Sequence, residues 1–199
     1  YQYLFYISSP IKHMSSSPIS HTDFVIEEVK ESSINLISEL VDLTFNIVQG
    51  GASVGFMEDL TVEQARKFWT EVLNKVKLQK TVLIVAKNTF TNRIAGTVQL
   101  QIDLPPNQTH RADVAKMLVH TEFRRMGIAQ NLLQHIENIA IDLNKTLLVL
   151  DTVTDSPAYI MYQKCGWTIV GDIPNYALFP NGTWCSTTYF YKSLIMPAK

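Results

Sequence analysis

The stretch Met117-Leu118-Val119-His120-Thr121-Glu122-Phe123-Arg124-Arg125-Met126-Gly127-Ile128-Ala129 decides how the chain is read. An apolar run enters a turn, and the turn opens a periodic helix carrying Arg-x-x-Gly-x-Ala. The first turn of a helix leaves backbone N–H groups unpaired, and its dipole is positive at that end. Gly127 and Ala129 are small enough for a diphosphate to approach the backbone, and Arg124 and Arg125 add positive charge. A plain strand-to-helix turn with a solvated arginine pair would leave the same residues, so this segment alone keeps both readings open. No G-x-x-x-x-G-K-[ST] occurs in the chain and no G-x-G-x-x-G follows a strand, which disfavours a P-loop and a nicotinamide-type site.

Working outward, residues 112–119 read as the strand before this turn, and residues 127–143 as the helix after it. Ile128, Leu132, Leu133, Ile136, Ile139 and Ala140 form that helix's apolar face. Upstream, residues 22–29 alternate as a first strand. Ser32 or Ser33 caps a helix carrying Ile37, Leu40, Val41, Phe45 and Val48, which stops at Gly50-Gly51. After a loop over 52–57, Thr61 and Gln64 form a capping-box pattern ahead of a stripe of Ala65, Phe68, Trp69, Val72, Leu73 and Val76. Residues 81–86 and 94–102 are two strands joined at Asn92-Arg93, and Pro105-Pro106-Asn107 breaks the second from the third.

Downstream, residues 146–151 read as a buried strand and 156–164 as a short helix closed by Gly166. Residues 167–171 and 176–179 are strand pieces. Pro180-Asn181-Gly182 turns the chain into a last strand over 187–194. The order predicts an α/β (α+β) fold, one mixed sheet with helices on both faces, and no repeat or second domain.

The 199 residues fit one domain, and 46% apolar against 18% charged residues is a globular balance. A net charge of -1 gives no footprint for nucleic acid. Residues 1–13 carry a short apolar run without a basic start and read as a vector-derived or disordered leader before Met14. The single domain is placed at 14–199. No segment is long enough to span a bilayer, so no membrane partner is expected and the chain reads as cytoplasmic. Cys165 and Cys185 have no metal-ligand spacing and read as two buried thiols, with a disulfide as the alternative; no metal is expected.

Arg124, Gly127 and Ala129 sit where the Gcn5-related N-acetyltransferase (GNAT) superfamily has its Arg/Gln-x-x-Gly-x-Gly/Ala signature. The later block Tyr159-Ile160-Met161-Tyr162-Gln163-Lys164-Cys165-Gly166-Trp167 resembles that family's short helix with Tyr, followed by Gly and an aromatic. The element order from about residue 23 to 194 is similar as well. Residues 50–57 (Gly-Gly-Ala-Ser-Val-Gly-Phe-Met), 148–152 and the Ile173-Pro174-x-Tyr176 stretch resemble the tabtoxin-resistance branch, acetyltransferases that inactivate a β-lactam toxin. The resemblance implies a mostly antiparallel sheet splayed between its fourth and fifth strands. It also implies acetyl-CoA as cosubstrate, with transfer to the primary amine of a small molecule such as a toxin or antibiotic. Transfer to a protein, or a non-catalytic acyl-CoA-binding role, are the alternatives. Oligomeric state is left at monomer or homodimer.

The same resemblance places the cofactor at Met117, Leu118, Val119, Arg124, Arg125, Met126, Gly127, Ile128, Ala129 and Gln130. The Val119 N–H is expected to meet the thioester oxygen, at a bulge. Tyr162 is the candidate acid, protonated at neutral pH. Asp113 and Asp151 are candidates for the base or for holding the amine; an exposed Asp113 and a turn-capping Asp151 are the bland alternatives. Phe56, Met57, Tyr176 and Trp184 are the candidates for shaping the acceptor pocket.

Overall fold

A computed structural model describes residues 23–194 of the chain; the leader expected at 1–13 lies outside the described residues. The elements run β1 (Phe24–Glu28), α1 (Ile34–Gln49), α2 (Val62–Lys77), β2 (Thr81–Asn88), β3 (Ile94–Gln101) and β4 (Arg111–Val119). They continue with α3 (Ile128–Asp142), β5 (Leu147–Val153), α4 (Pro157–Lys164), β6 (Thr168–Leu178) and β7 (Trp184–Ser193).

Local chemistry explains the helix starts. The Ser33 hydroxyl accepts from the Leu36 N–H at 3.1 Å. Thr61 and Gln64 close a full capping box at α2, which satisfies donors that the helix itself cannot. Trp69 donates to the Thr44 hydroxyl at 2.8 Å, and Thr44 donates to the Leu40 carbonyl at 2.8 Å, so a fully buried relay locks α2 onto α1.

The seven strands form one sheet in the order β1-β2-β3-β4-β5-β7-β6. Every neighbouring pair is antiparallel except β4 and β5. A parallel pair needs a crossover, and α3 supplies it. The pairing of β4 with β5 covers only Arg111↔Leu147, Ala112↔Leu148 and Asp113↔Val149. Beyond Asp113 the two strands part, and the splay expected from the resemblance is present.

The register divides the sheet into two faces. Ile84, Val98, Leu100, Val114, Ala112, Leu148, Leu150 and Phe190 form the core against α3 and α4. Leu83 and Val85 lie on the other face against α1 and α2. Their cross-strand partners put polar residues on that second face: Leu83 stands opposite Gln99, Gln101 opposite Asp113, and Asp151 opposite Tyr189.

Two expectations are corrected. Residues 167–171 and 176–179 are parts of one strand, β6, and not separate pieces. The long β7 beside it holds the ladder together, while irregularities at 169–171 and 173–177 absorb the extra residues. Cys165 is half-buried where full burial was expected, and Cys185 is buried; both are free thiols. Among the described residues no helix is long and apolar enough to cross a membrane, and no group of three His, Cys, Asp or Glu is placed to hold a metal ion.

Candidate active site

The site is built around one extra residue in β4. Thr97 pairs with Leu118 and Gln99 with Ala115, so Val98 faces two residues of β4, Lys116 and Met117. Lys116 takes the strain with φ +50°, a conformation that costs a non-glycine residue energy. Counting in twos from the core residue Val114 would send Lys116 toward α3. The bulge instead sends Met117 and Val119 to the α3 core and turns Lys116 toward α2 and the α1–α2 loop.

The bulge also sets the direction of a backbone donor. His120 donates its N–H to the Ala95 carbonyl at 2.8 Å. Backbone groups alternate along a strand, so Val119, opposite Gly96, turns its N–H away from β3 and into the splay, where β5 no longer pairs. The Arg124 Nε approaches the Val119 carbonyl at 3.5 Å. Gly96 makes the close approach possible: a Cβ there would lie 2.8 Å from the Leu118 carbonyl oxygen.

The start of α3 suits an anion. Gly127 is its N-cap, with φ +77° and no side-chain cap. The N–H groups of Ile128, Ala129 and Gln130, the first three of the helix, therefore have no cap of the kind that serves α1 and α2. Arg125 has φ +64°, and it and Arg124 are exposed beside this turn. Met126 and Ile128 pack into the α3 core, so Ile128 would contribute through its backbone. Burial raises the Cys165 thiol pKa, and the Gln130 side chain is among the neighbours that oppose the rise. The donors, the arginines and the outward Val119 N–H line one side of the splay, a set whose chemistry suits a cosubstrate carrying a diphosphate and an acyl group.

Tyr162 is buried on α4, its ring 5.7 Å from Trp167 and 5.9 Å from Phe190 between centroids. Burial holds its phenol well above the usual range, and the charges of Asp151 and Cys165 add to the shift. The phenol is therefore a kept proton at any ordinary pH. It belongs to the α3–α4 core while Asp151 stands on the opposite face of the sheet, yet the carboxylate is near enough to add to the rise of the phenol's pKa.

Asp113 is half-buried and pairs with Arg111 at 2.9 Å. Its Oδ1 lies at ion-pair distance but off the hydrogen-bonding direction, and is left buried without a hydrogen bond, as are the Arg111 Nε and the Gln99 Nε2. Desolvation raises the Asp113 pKa, with Arg111 opposing it. Asp151 is solvent-accessible yet ringed by protein: desolvation raises its pKa, Lys116 and its own backbone N–H lower it, and Asp113 raises it again. Neither carboxylate takes its bland alternative, since Asp113 is not freely solvated and Asp151 lies inside β5. Tyr189, opposite Asp151, shares a 2.7 Å hydroxyl–hydroxyl hydrogen bond with Tyr176. That bond is the main cause raising the Tyr189 pKa to about 12.

The four acceptor-side candidates separate. Tyr176 joins the cluster because the extra residues at 174–176 let it reach Tyr189. Phe56 packs edge-on against Phe68 at 5.1 Å. Met57 is exposed, at the rim of a shallow depression shared with Pro180, Asn181 and Gly182. Trp184 is 67% exposed. Its neighbour Cys185 touches Ser53 of the α1–α2 loop, so strand alternation puts Trp184 on the other face, apart from the carboxylates. Lys116 and Tyr189 escaped sequence reading. Lys116 falls within an ordinary strand pattern, and only the bulge gives it a new direction. His120 supports the turn: its Nδ1 accepts from the Glu122 N–H at 3.3 Å.

Solved structures share this fold. The chain resembles a Salmonella typhimurium protein assigned as an acetyltransferase and solved with its cofactor acetyl-CoA. The TM-score is 0.70 at 13% identity, over 89% of this chain and 97% of that one. A structure assigned as a phosphinothricin N-acetyltransferase matches at TM-score 0.70 and 15% identity, over 86% and 100% of the two chains. Ribosomal-protein-alanine N-acetyltransferase from Brucella melitensis matches at 0.67 and 16%, over 85% and 99%. At these identities the likeness is one of fold. The family model described as Acetyltransferase (GNAT) family matches residues 53–167, which includes β4, the α3 turn, β5 and α4, and the chain belongs to that family of acetyltransferases.

Proposed function

We propose that this acetyltransferase moves the acetyl group of acetyl-CoA to the primary amine of a small molecule, a toxin or antibiotic of the kind the tabtoxin-resistance branch inactivates. The observation that carries the reading is the splay itself. It has an outward N–H at Val119 and an uncapped helix start on one side, and two carboxylates with raised pKa on the other. Acetyl-CoA supplies an activated acyl group as a thioester. The N–H groups of Ile128, Ala129 and Gln130, with Arg124 and Arg125, bind its diphosphate. The Val119 N–H points at the acyl oxygen, where negative charge grows. Asp151, with Asp113 behind it, draws in the cationic amine and accepts its proton, directly or through a water. Tyr162 holds a proton for the sulfur as the C–S bond breaks.

A small acceptor is supported by the α1–α2 loop, which crosses the acceptor side. Ser53 Oγ donates to the Leu178 carbonyl at 2.7 Å, and the Glu58 N–H donates to the Pro180 carbonyl at 3.1 Å. The loop and the β6–β7 hairpin thus form one wall where a long peptide would need an open groove. We place the enzyme in the cytoplasm, where acetyl-CoA is at hand, acting as a monomer or homodimer. The test is thiol release from acetyl-CoA with β-lactam amino acids, aminoglycosides, polyamines and N-terminal peptides, each product identified by mass. Turnover with the small amines is the expected result; turnover confined to peptides would overturn it.

A further inference from the structure

We infer that Lys116 is the positioning residue of the acceptor half of the site: its ammonium latches the α1–α2 loop across the splay and sets a fixed positive charge facing Asp151. This rests on the reading of Asp151 given above. The ammonium donates to the Val54 carbonyl at 2.7 Å and lies 5.7 Å from the centre of the Phe56 ring and 5.5 Å from that of Phe68. A desolvated cation between two aromatic faces is held by more than its one hydrogen bond. Gly55 suits this approach: its φ of +88° is one that side chains rarely adopt, and a Cβ there would crowd the Lys116 Nζ at 3.1 Å. The unusual run over 50–57 thereby has a physical purpose: Val54 accepts, Gly55 makes room and Phe56 stacks. The far side of the loop is tied to the β6–β7 hairpin through Ser53 and Glu58, and its start is tied to the α3 turn by Asn46 and Thr121, which exchange two hydrogen bonds of 2.9 Å. Lys116 supplies the remaining anchor, from the bulge.

The latch is also electrostatic. Lys116 is half-buried, and desolvation pushes its pKa down while Asp151 pulls it back up. Lys116 is in turn the largest influence opposing the desolvation of Asp151. No direct ion pair forms between them; the charge acts across the splay. The other titratable groups around Asp151 are Asp113 and its partner Arg111 on β4, Tyr162 on α4, Tyr189 on β7 and Tyr176 on β6. The loop and α2 bring aromatic rings to the ammonium. Lys116 is thus the cation that favours an ionised Asp151, the form able to receive an amine.

The experiment compares Lys116→Met, Lys116→Arg and Phe56→Leu in the full chain. For Lys116→Met we expect the acceptor KM to rise about tenfold with acetyl-CoA affinity within about twofold. The acid limb of kcat/KM moves to higher pH by at least about half a unit, because the charge that favours the carboxylate is gone. Lys116→Arg keeps the wild-type limb. Phe56→Leu raises the acceptor KM and leaves the limb in place. Amide exchange over residues 50–57 quickens in both Lys116→Met and Phe56→Leu, a readout that needs no turnover and that a misfolded variant would fail globally. An unmoved limb and unchanged loop exchange in Lys116→Met would overturn the inference, as would an equal loss of acetyl-CoA affinity. Asp151→Asn separates the two readings: if it retains the wild-type acid limb, the role of Asp151 fails, while loop exchange still decides whether the latch exists.

Discussion

Asp151 and Tyr189 stand directly opposite one another on β5 and β7, on the face of the sheet that carries Asp113. Opposed residues on one face have Cβ atoms about 5 Å apart. The Tyr189 hydroxyl is already joined to Tyr176, so the pair forms a phenolic wall beside the carboxylate. Tyr189→Phe is expected to raise the acceptor KM several-fold with kcat reduced less. The raised pKa of about 12 keeps Tyr189 neutral at working pH, so the pH profile should keep its shape. Initial rates across pH check both.

Tyr162→Phe should lower kcat by about 10²-fold, the lower end of general-acid effects, with acetyl-CoA affinity within about twofold. The ring remains to pack on Trp167 and Phe190, so the melting temperature should change little. Calorimetric titration beside single-turnover rates separates these quantities. A large loss of affinity would reject the acid role.

Gly96→Ala tests the bulge without altering any polar side chain. Its Cβ would meet backbone at Leu118 as well as Ile128 and Leu132 side chains at 3.2 Å. Backbone cannot swing aside as a side chain can, so β4 must shift. We expect destabilisation of about 1–3 kcal/mol, the usual cost of overpacking, together with weaker acetyl-CoA binding. Urea unfolding and titration measure them.

Asp151→Asn carries a pH signature in stability. The folded pKa of Asp151 is raised, so the folded chain binds this proton more tightly than the unfolded chain does. Ionising the group therefore costs stability above its folded pKa, and that cost fades as pH falls through the folded pKa toward the ordinary value of 3.8. Asn removes the ionisation. The variant should melt higher than the parent at pH 7, lose that advantage in acid, and be nearly inactive. Melting curves from pH 3 to 8 show the trend; a variant that melts lower at pH 7 would contradict it.

Much of the architecture was legible because local signals agreed with one another. Ser33, Thr61 with Gln64, and Gly127 mark three helix starts, and periodicity names their buried faces. What escaped was whatever depends on register. A bulge leaves the alternation of residue types almost untouched, so nothing near Lys116 announces that its side chain will turn over. The same holds at 174–176, where Pro174 and Asn175 look like a break and are instead slack within β6. Trp184 shows the converse. Its residue type suggested a pocket, and only the contact of its neighbour Cys185 with Ser53 reveals the side on which it stands. Asp113, Asp151 and Tyr162 lie around one gap, but that gap arises where pairing stops, a non-local event.

The supernumerary residue in β4 has a consequence for how this chain tolerates change. Removing the one extra position between Ala115 and Met117 would leave Met117 and Val119 on the same side of the sheet, but would abolish the turned-over position from which Lys116 reaches the α1–α2 loop. The outer strand β6 behaves in the opposite way: it already accommodates surplus residues at two places, and among the described residues one of its edges faces no neighbouring strand. Natural variants that differ by an inserted residue belong on that margin of the sheet, and the seam at its centre must keep its count.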